Sequence, residues 1–315
     1  MNPSLAVVFP GQGSQSVGML ADLAAAYPSV LDTFREASDA VELDLWRLAQ
    51  EGPDETLDRT EMTQPVMLAA GAAVWRVWRG EGGPLPAFMA GHSLGEYTAL
   101  VCAGSLELSD AVRLARFRGR TMQKAVPAGA GAMAAVLGLD DAAIRRACRR
   151  FADGQVLEPA NFNSPGQVVV AGHASAVQRL IDNAREAGAR KVIPVKISVP
   201  SHCSLMREAA DRLDSYLGQV TIHPPKIPVL HNATVAAEHQ VGGLRRVLAE
   251  QLYSPVRWAE TIQAFAASGV DKLVECGPGK VLAGLNRRID KSMQAFPVFD
   301  PAGLEQALAA VNAPG

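Results

Sequence analysis

Short apolar runs alternate with segments of helical periodicity along most of the chain. Three runs, at residues 5–9, 87–90 and 272–276, have the length of buried strands, and each is followed within two residues by a glycine. Between and after them, helical patterns predict helices at residues 29–41, 64–79, 97–103, 109–125, 204–217, 242–252 and 258–268. Strands alternating with helices imply a parallel sheet that is covered on both faces, so we expect an α/β fold.

The middle of the chain follows a different order. Its pattern predicts strand, helix, strand, strand, helix and strand, the βαββαβ order of ferredoxin-like modules. These six elements are predicted at residues 132–137, 140–150, 158–162, 167–172, 174–187 and 191–197. We therefore expect a small ferredoxin-like subdomain at residues 129–198, inserted in a discontinuous large domain formed by residues 1–128 and 199–315.

Composition narrows the classes of function. Of the 315 residues, 48% are apolar and the net charge is −2, which gives no support to nucleic-acid binding. The four cysteines form no CxxC pair, so we expect neither a metal site nor disulfides. The longest apolar stretch, residues 65–75, is shorter than the ~20 residues that span a bilayer. We expect a cytoplasmic protein without a membrane partner.

A candidate nucleophile lies in the segment Gly91-His92-Ser93-Leu94-Gly95. It fits the nucleophile elbow, a sharp turn from strand to helix that lifts a serine above the sheet. Glycines at both flanks give the turn the room that it needs. The helix N-terminus behind the serine favours developing negative charge. Because an apolar strand precedes the motif and a helical pattern follows it, we take Ser93 as the nucleophile.

A serine hydroxyl needs a base, and the chain has six histidines. His92 adjoins Ser93, and we expect its side chain to point away and pack. His202 differs from the others because it stands where the chain re-enters the large domain. A lone histidine is more often structural, so the sequence by itself leaves the role of His202 as base open.

The first predicted strand runs into Pro10-Gly11-Gln12-Gly13-Ser14-Gln15, which invites a dinucleotide-binding interpretation. That interpretation fails, because a GxGxxG motif starting at Gly11 needs glycine at position 16, where Ser16 stands. The alternative is a loop whose N–H groups face the nucleophile. We expect Leu94 N–H and Gln12 N–H to form an oxyanion hole.

The helix predicted at residues 109–125 buries an arginine. Arg118 falls on the same face as Ala111, Leu114, Ala115 and Met122, whereas the other basic residues of this helix form the opposite stripe. A buried guanidinium is costly unless an anion pairs with it. The anion is either an internal Asp or Glu, which is the commoner case, or the carboxylate of a substrate.

Taken together, these residues resemble the malonyl-CoA:acyl carrier protein transacylase family. The matching segments span nearly the whole chain in the family's order: residues 9–15, 91–97, 118–123, 161–167, 199–202 and 275–279. The resemblance implies that Ser93 accepts malonyl from coenzyme A as an ester and that His202 is the base, its ring oriented by a main-chain carbonyl near Gln251. It also implies that Arg118 pairs with the free malonyl carboxylate, and that Met122, Asn163 and Gln251 line the substrate site.

The fold that the resemblance implies is a hydrolase-like α/β core with the inserted subdomain, and a cleft between them. No cofactor and no metal are expected. The partners are malonyl-CoA and a holo acyl carrier protein in fatty acid biosynthesis, and the chain is expected to be a monomer. Because carrier proteins are acidic, a basic rim is expected, with four candidates: Arg190, Lys191, Arg287 and Arg288.

Three alternatives stay open at this point. A serine thioesterase or esterase would share Ser93 and His202 but have no use for a buried cation. A discrete acyltransferase of a polyketide pathway would share the architecture and is poorly separated by sequence. A carrier-binding module without catalysis would lack an acyl-serine.

Overall fold

The computed structural model describes residues 1–197 and 199–312, and these contain a large parallel sheet and a smaller antiparallel sheet. The five strands of the large sheet are β1 (Asn2–Phe9), β2 (Pro86–Gly91), β7 (Val229–Leu230), β8 (Lys272–Cys276) and β9 (Gln294–Val298). They are ordered β7-β2-β1-β8-β9, and every neighbouring pair is parallel. The predicted parallel sheet of an α/β fold is confirmed.

The central strand β1 is buried on both faces. Leu5, Val7 and Phe9 join the larger core cluster, whereas Ala6 and Val8 join a second cluster on the other face. Strands covered on both sides read as continuous apolar runs, as this one does. The carboxyl ends of β1 and β2 therefore emerge side by side at one edge of the sheet, where α/β proteins bind their ligands.

Helices cover both faces of this sheet. Residues of α12 (Trp258–Ala267) and α13 (Val281–Ile289) pack with Ala6 and Val8. The other helices of the large sheet pack on the larger cluster: α1 (Ala21–Ala26), α2 (Ser29–Val41), α3 (Leu45–Glu51), α4 (Asp54–Leu57), α5 (Thr60–Gly80), α6 (Gly95–Cys102), α7 (Leu108–Ala125), α10 (Arg207–Leu217), α11 (Val241–Glu250) and α14 (Pro301–Asn312). In the part of the chain that the structure describes, no helix combines the length and apolarity needed to cross a bilayer.

The small sheet is antiparallel in the order β4-β5-β3-β6. Two helices and their apolar residues cover one of its faces. The elements are β3 (Gly131–Leu137), α8 (Asp141–Ala152), β4 (Leu157–Ser164), β5 (Gln167–His173), α9 (Ala174–Asp182) and β6 (Lys191–Pro194). The Asp140 side chain caps α8 as expected, accepting a hydrogen bond from Ala143 N–H at 2.6 Å.

Backbone hydrogen bonds attach the small sheet beside the large one. Phe162 N–H donates to Val256 O at 2.9 Å, and Val256 N–H donates to Ala160 O at 2.8 Å. Edge strand β4 is thus paired with the segment that precedes α12. This attachment brings β4 next to the carboxyl ends of β1 and β2.

Several predicted bounds are wrong for physical reasons. The helix predicted at 174–187 ends at Asp182, and Asn183 Nδ2 donates to Arg179 O, satisfying a carbonyl in the last turn. The strand predicted at 191–197 ends at Pro194, which has no N–H for a ladder. Elements α1, α3, α4, β9 and α14 were not predicted at all. The predicted boundary at residue 198 and the last three residues, 313–315, lie outside the described residues.

Candidate active site

The turn between β2 and α6 forces Ser93 into a left-handed backbone conformation, with φ 52°. Both flanking positions require glycine, because neighbouring backbone leaves no room for a Cβ atom. A Cβ on Gly91 would lie 1.8 Å from the carbonyl carbon of Gly95, and a Cβ on Gly95 would lie 2.1 Å from the Phe9 carbonyl oxygen. The geometry is therefore that of a nucleophile elbow.

Ser93 Oγ lies 2.7 Å from His202 Nε2. His202 Nδ1 lies 2.8 Å from the Gln251 carbonyl oxygen, which can only accept a hydrogen bond, so Nδ1 carries the proton and Nε2 is free to take one. Burial, followed by the positive charge of Arg118, lowers the pKa of His202 to about 3. The imidazole is therefore neutral near pH 7, the form that can act as a base.

Arg118 is buried, with 1% of its surface exposed, and no carboxylate of the described residues forms an ion pair with it. Its Nη2 donates to Gln251 Oε1 at 2.9 Å and to Ser93 Oγ at 3.3 Å, and its guanidinium carbon lies 5.3 Å from the centre of the Tyr97 ring. Its Nε has no hydrogen-bond partner among the described residues. The internal Asp or Glu partner weighed from the sequence is therefore absent from the part of the chain described here.

The side chain of Gln251 joins these groups, whereas the resemblance implied only a main-chain carbonyl near Gln251 that orients His202 and a place for Gln251 in the substrate site. Its Nε2 donates to Ser93 O at 2.9 Å, and its Oε1 accepts from Arg118. Together with its carbonyl on His202, this one residue contacts the serine, the histidine and the arginine. Their relative positions are consequently fixed by a single buried residue at the end of α11.

The two expected oxyanion donors lie beside the serine. Leu94 and Gln12 both line the cavity that contains Ser93, and neither backbone N–H has an acceptor among the described residues. The Gln12 side chain is held by Thr60 Oγ1 at 3.3 Å. Two free donors near a nucleophile at a helix N-terminus can stabilise an oxyanion.

The cavity has a volume of about 50 Å³ and is lined by Met133 and Asn161 of the small sheet together with residues of the turns and helices around the large sheet. Met122 forms part of its wall, with Sδ 3.6 Å from Gln64 Nε2. Asn163 is not part of this wall. It lines an adjoining cavity of about 190 Å³, where its Oδ1 accepts from His92 Nε2 at 2.8 Å.

His92 does more than pack. Its ring lies 5.5 Å from that of Trp258, as expected of a packing residue, but it also borders the serine cavity and bonds to β4. Its side chain therefore packs as expected and also forms a hydrogen bond with Asn163 in the adjoining cavity. The four basic rim candidates are all exposed, and Arg288 Nη1 donates to Gln167 Oε1 at 2.6 Å, spanning from α13 to the small sheet.

Three buried residues of the site were missed from the sequence: Glu96, His231 and Asn232. Asn232 Oδ1 accepts the Ser93 N–H at 2.7 Å, and Glu96 accepts from both other residues. The feature of the sequence that could have indicated them is Glu96, an acidic residue in the first turn of a mostly apolar helix.

Comparison with known proteins matches residues 6–305 to the acyl transferase domain model. The malonyl CoA-acyl carrier protein transacylase of Escherichia coli is 54% identical over 303 residues, covering 96% of this chain and 98% of that protein. This chain belongs to that family. It is accordingly an acyltransferase.

Solved structures of similar proteins support the same family assignment. An acyl carrier protein S-malonyltransferase from Vibrio cholerae superposes with a TM-score of 0.94 at 52% identity, covering 96% of this chain and 99% of that one. A malonyl-transacylase in complex with a type II PKS acyl-carrier protein superposes with a TM-score of 0.96 at 51% identity, covering 98% and 99%. Membership of the transacylase family argues against the serine hydrolase alternative and against a module without catalysis.

Proposed function

We propose that this transacylase moves a malonyl group from coenzyme A to the phosphopantetheine thiol of an acyl carrier protein, through an ester on Ser93. The names of the relatives support the substrate and the acceptor. The observation that carries the proposal is the buried Arg118, which has no anionic partner among the described residues and lies 3.3 Å from the nucleophilic oxygen. A malonyl thioester supplies the missing carboxylate.

In the first step, His202 Nε2 takes the proton of Ser93 Oγ as that oxygen bonds to the thioester carbon. The carbonyl electrons move to oxygen, and the Leu94 and Gln12 N–H groups stabilise the resulting charge. When the tetrahedral intermediate collapses, the carbon–sulfur bond breaks and His202 returns the proton to the sulfur. Free coenzyme A leaves, and malonyl remains on Ser93.

The second step reverses the first with a different thiol. The carrier's phosphopantetheine thiol gives its proton to His202, and its sulfur bonds to the ester carbon. The bond to Ser93 Oγ breaks, and Oγ recovers the proton. The products are malonyl carrier protein and free enzyme, so the kinetics are ping-pong.

Arg118 fixes the malonyl group in one pose by pairing with its free carboxylate. Gln251 supports this arrangement because its side chain holds the guanidinium and the Ser93 carbonyl at the same time. We assign Met122 to the apolar wall beside the acyl group. Asn163 belongs to the adjoining cavity, where it contacts the thioester arm rather than the malonyl group.

For the carrier we favour that of fatty acid biosynthesis. A polyketide carrier is the second candidate, since one structural relative is in complex with a type II PKS carrier protein. In either case we propose that the exposed Arg190, Lys191, Arg287 and Arg288 contact the acidic carrier. Exposed complementary charges raise the rate of encounter more than the strength of binding.

We further propose the division of the chain into an inserted ferredoxin-like subdomain, residues 129–198, and a hydrolase-like domain, residues 1–128 and 199–315. The order β4-β5-β3-β6 with two helices on one face supports the first. The parallel sheet with its elbow supports the second. The cytoplasmic location, the monomeric state and the lack of a cofactor stay predictions.

The decisive experiment incubates the enzyme with malonyl-CoA, with and without a holo carrier protein, and quantifies free coenzyme A, malonate and malonyl carrier. We expect malonyl carrier to form at the rate of coenzyme A release, and little malonate. Rapid malonate with no carrier product would mean hydrolysis. Repeating the assay with acetyl- and methylmalonyl-CoA measures the acyl preference.

A further inference from the structure

The side chain of Asn232 bridges the two sides of the elbow. Its Oδ1 accepts the Ser93 N–H at 2.7 Å, and its Nδ2 donates to Gly91 O at 2.7 Å. Asn232 itself is buried and follows β7, so it reaches the elbow from a part of the chain about 140 residues away. One amide thus holds the peptide groups before and after His92.

Glu96 fixes Asn232 in turn. Its Oε2 accepts the Asn232 N–H at 2.8 Å, and its Oε1 accepts from His231 Nδ1 at 2.8 Å. Glu96 has no exposed surface and lies in the first turn of α6, one helical turn after the nucleophile. A carboxylate that follows the serine therefore ties the loop after β7 to the elbow.

This arrangement decides which N–H groups remain free at the nucleophile. The Ser93 N–H is occupied by Asn232, whereas the Leu94 N–H has no acceptor among the described residues. The left-handed conformation of Ser93 is disfavoured for a residue with a side chain and persists only when its surroundings impose it. Asn232 on the N–H and Gln251 on the carbonyl impose it from both sides.

We infer that Asn232, anchored by Glu96, is a positioning residue that holds Ser93 Oγ and the Leu94 N–H in their reactive geometry. The inference rests on the proposed function, because it concerns the formation of malonyl-Ser93. Asn232 is not among the residues that line the cavity of Ser93, so its effect is expected in the rate of chemistry and not in substrate binding.

The first test is Asn232→Ala, measured by the rate of malonyl-Ser93 formation at varied malonyl-CoA. We expect the maximal rate to fall about 10- to 100-fold with little change in KM, since small misplacements of reacting groups have effects of this size. Asn286→Ala is the matched control. Asn286 in α13 is equally buried, and its Nδ2 donates to the Met293 carbonyl oxygen at 2.8 Å and makes no contact with the elbow. It should lose thermal stability but keep its maximal rate.

The second test is Glu96→Ala. Alanine removes the acceptor of the Asn232 N–H, whereas glutamine would keep it and could donate to His231 Nδ1 in the other ring tautomer. We expect the maximal rate to fall by no more than it does in Asn232→Ala, and we expect Glu96→Ala to add little to Asn232→Ala in the double variant. Independent effects, whose fold-changes multiply in the double variant, would show that Glu96 does not act through Asn232. Should Asn232→Ala not fold, an unchanged maximal rate in Glu96→Ala overturns the inference by itself.

The wild-type enzyme separates the two possible failures. If the wild type forms no malonyl-Ser93, the proposed function fails. If the wild type forms it and Asn232→Ala forms it at the same maximal rate, only the positioning role fails. A rise in KM with an unchanged rate also contradicts that role.

Discussion

Arg118 is held between Gln251, Ser93 and the Tyr97 ring, none of which carries a negative charge to balance it. Desolvation of the guanidinium lowers the pKa of Arg118, which marks the energetic cost of keeping this charge inside. A buried guanidinium that has no internal ion pair to offset its desolvation is suited to binding an anionic ligand. In the proposed function, this residue is what distinguishes a malonyl-specific enzyme from a general acyltransferase.

Arg118→Ala should reduce malonyl transfer far more than acetyl transfer. An unpaired carboxylate in a buried site costs ~2–5 kcal/mol, whereas an acetyl group has no carboxylate to lose. The measurement is kcat/KM for the two thioesters in the variant and the wild type. Arg120→Ala is the control, because Arg120 lies on the exposed face of the same helix and pairs with Glu61. Equal losses for both acyl groups would show that Arg118 is structural.

The neutral state of His202 gives a pH prediction. Its pKa is lowered to about 3, so the folded enzyme keeps the base unprotonated throughout pH 5–8. We expect the rate of malonyl-Ser93 formation to be flat across that range. A histidine with an ordinary pKa near 6.5 would lose about tenfold in rate by pH 5.5. A single-turnover pH profile distinguishes the two cases, and a fall centred near 6.5 would contradict the burial argument.

The lowered pKa of His202 also determines how the stability of the folded chain changes with pH. The unfolded chain protonates His202 near its ordinary pKa, but the folded chain does so only near 3. Its contribution to stability is therefore complete above about 6.5 and is lost as the pH falls below that value. We therefore expect the free energy of unfolding to fall as the pH is lowered from about 6.5 towards 3, which equilibrium unfolding at several pH values would measure.

Among the elements, the β2–elbow–α6 unit depends most on glycine. The Gly95 position is closed by the Phe9 carbonyl of β1, so the start of α6 lies directly against the neighbouring strand. This contact is what places the serine above the edge of the sheet.

Gly95→Ala should abolish malonyl-Ser93 formation and destabilise the fold, because its Cβ would meet backbone that cannot move away. Overpacking typically costs about 1–3 kcal/mol. Thermal melts and the acylation rate are the measurements. Gly242→Ala is the matched control: this glycine lies near the start of α11, and a Cβ there has no neighbour within 4 Å. It should keep full activity with equal or slightly higher stability. Normal acylation by Gly95→Ala would contradict the elbow geometry.

The local pattern of apolar and polar residues is enough to predict an element when its buried positions repeat over several turns. Helix α7 was expected at 109–125 and spans Leu108–Ala125, because its buried stripe repeats over five turns. Strand β9 was missed since Pro297 interrupts an already short run, and an edge position tolerates that proline. The early helices α1 and α4 have only 6 and 4 residues, too few to show a period.

For the candidate site, what can be predicted from the sequence is limited by contacts between distant parts of the chain. Ser93 and Arg118 can be proposed from local motif and helical face. Asn232 cannot, because its role depends on β7 lying beside β2, a pairing that no local period encodes. His202 is intermediate: the sequence singles it out by position, but only tertiary structure brings it within 2.7 Å of Ser93 Oγ.

Over the whole molecule, the cavity lies between the small sheet and the turns and helices around the large sheet. Met133 and Asn161 of the small sheet line it together with Ser93 of the elbow and Arg118 of α7. The hydrogen bonds at Val256 hold β4 in this place. Exposed basic residues lie on α13 and at the start of β6, the surface that we propose contacts the carrier protein.

Reversing the charges of Arg287 and Arg288 to Glu should raise KM for the carrier protein about tenfold without changing malonyl-Ser93 formation from malonyl-CoA. Glutamates at the rim carry the same charge as an acidic partner and slow the encounter by repulsion, and the effect should weaken as salt rises. Steady-state kinetics at two ionic strengths test this. Arg35→Glu, an exposed site on α2, is the control. If the variant and the control have the same KM for the carrier, this face does not bind it.

The most direct test of the account is intact-protein mass spectrometry after brief exposure to malonyl-CoA, followed by peptide mapping of the adduct. We predict one malonyl group per chain, located on Ser93, absent from Ser93→Ala and removed when a holo carrier protein is added. At least an ~10²-fold slower appearance is expected in His202→Ala. No adduct on the wild type, or an adduct that persists in Ser93→Ala, would contradict the account.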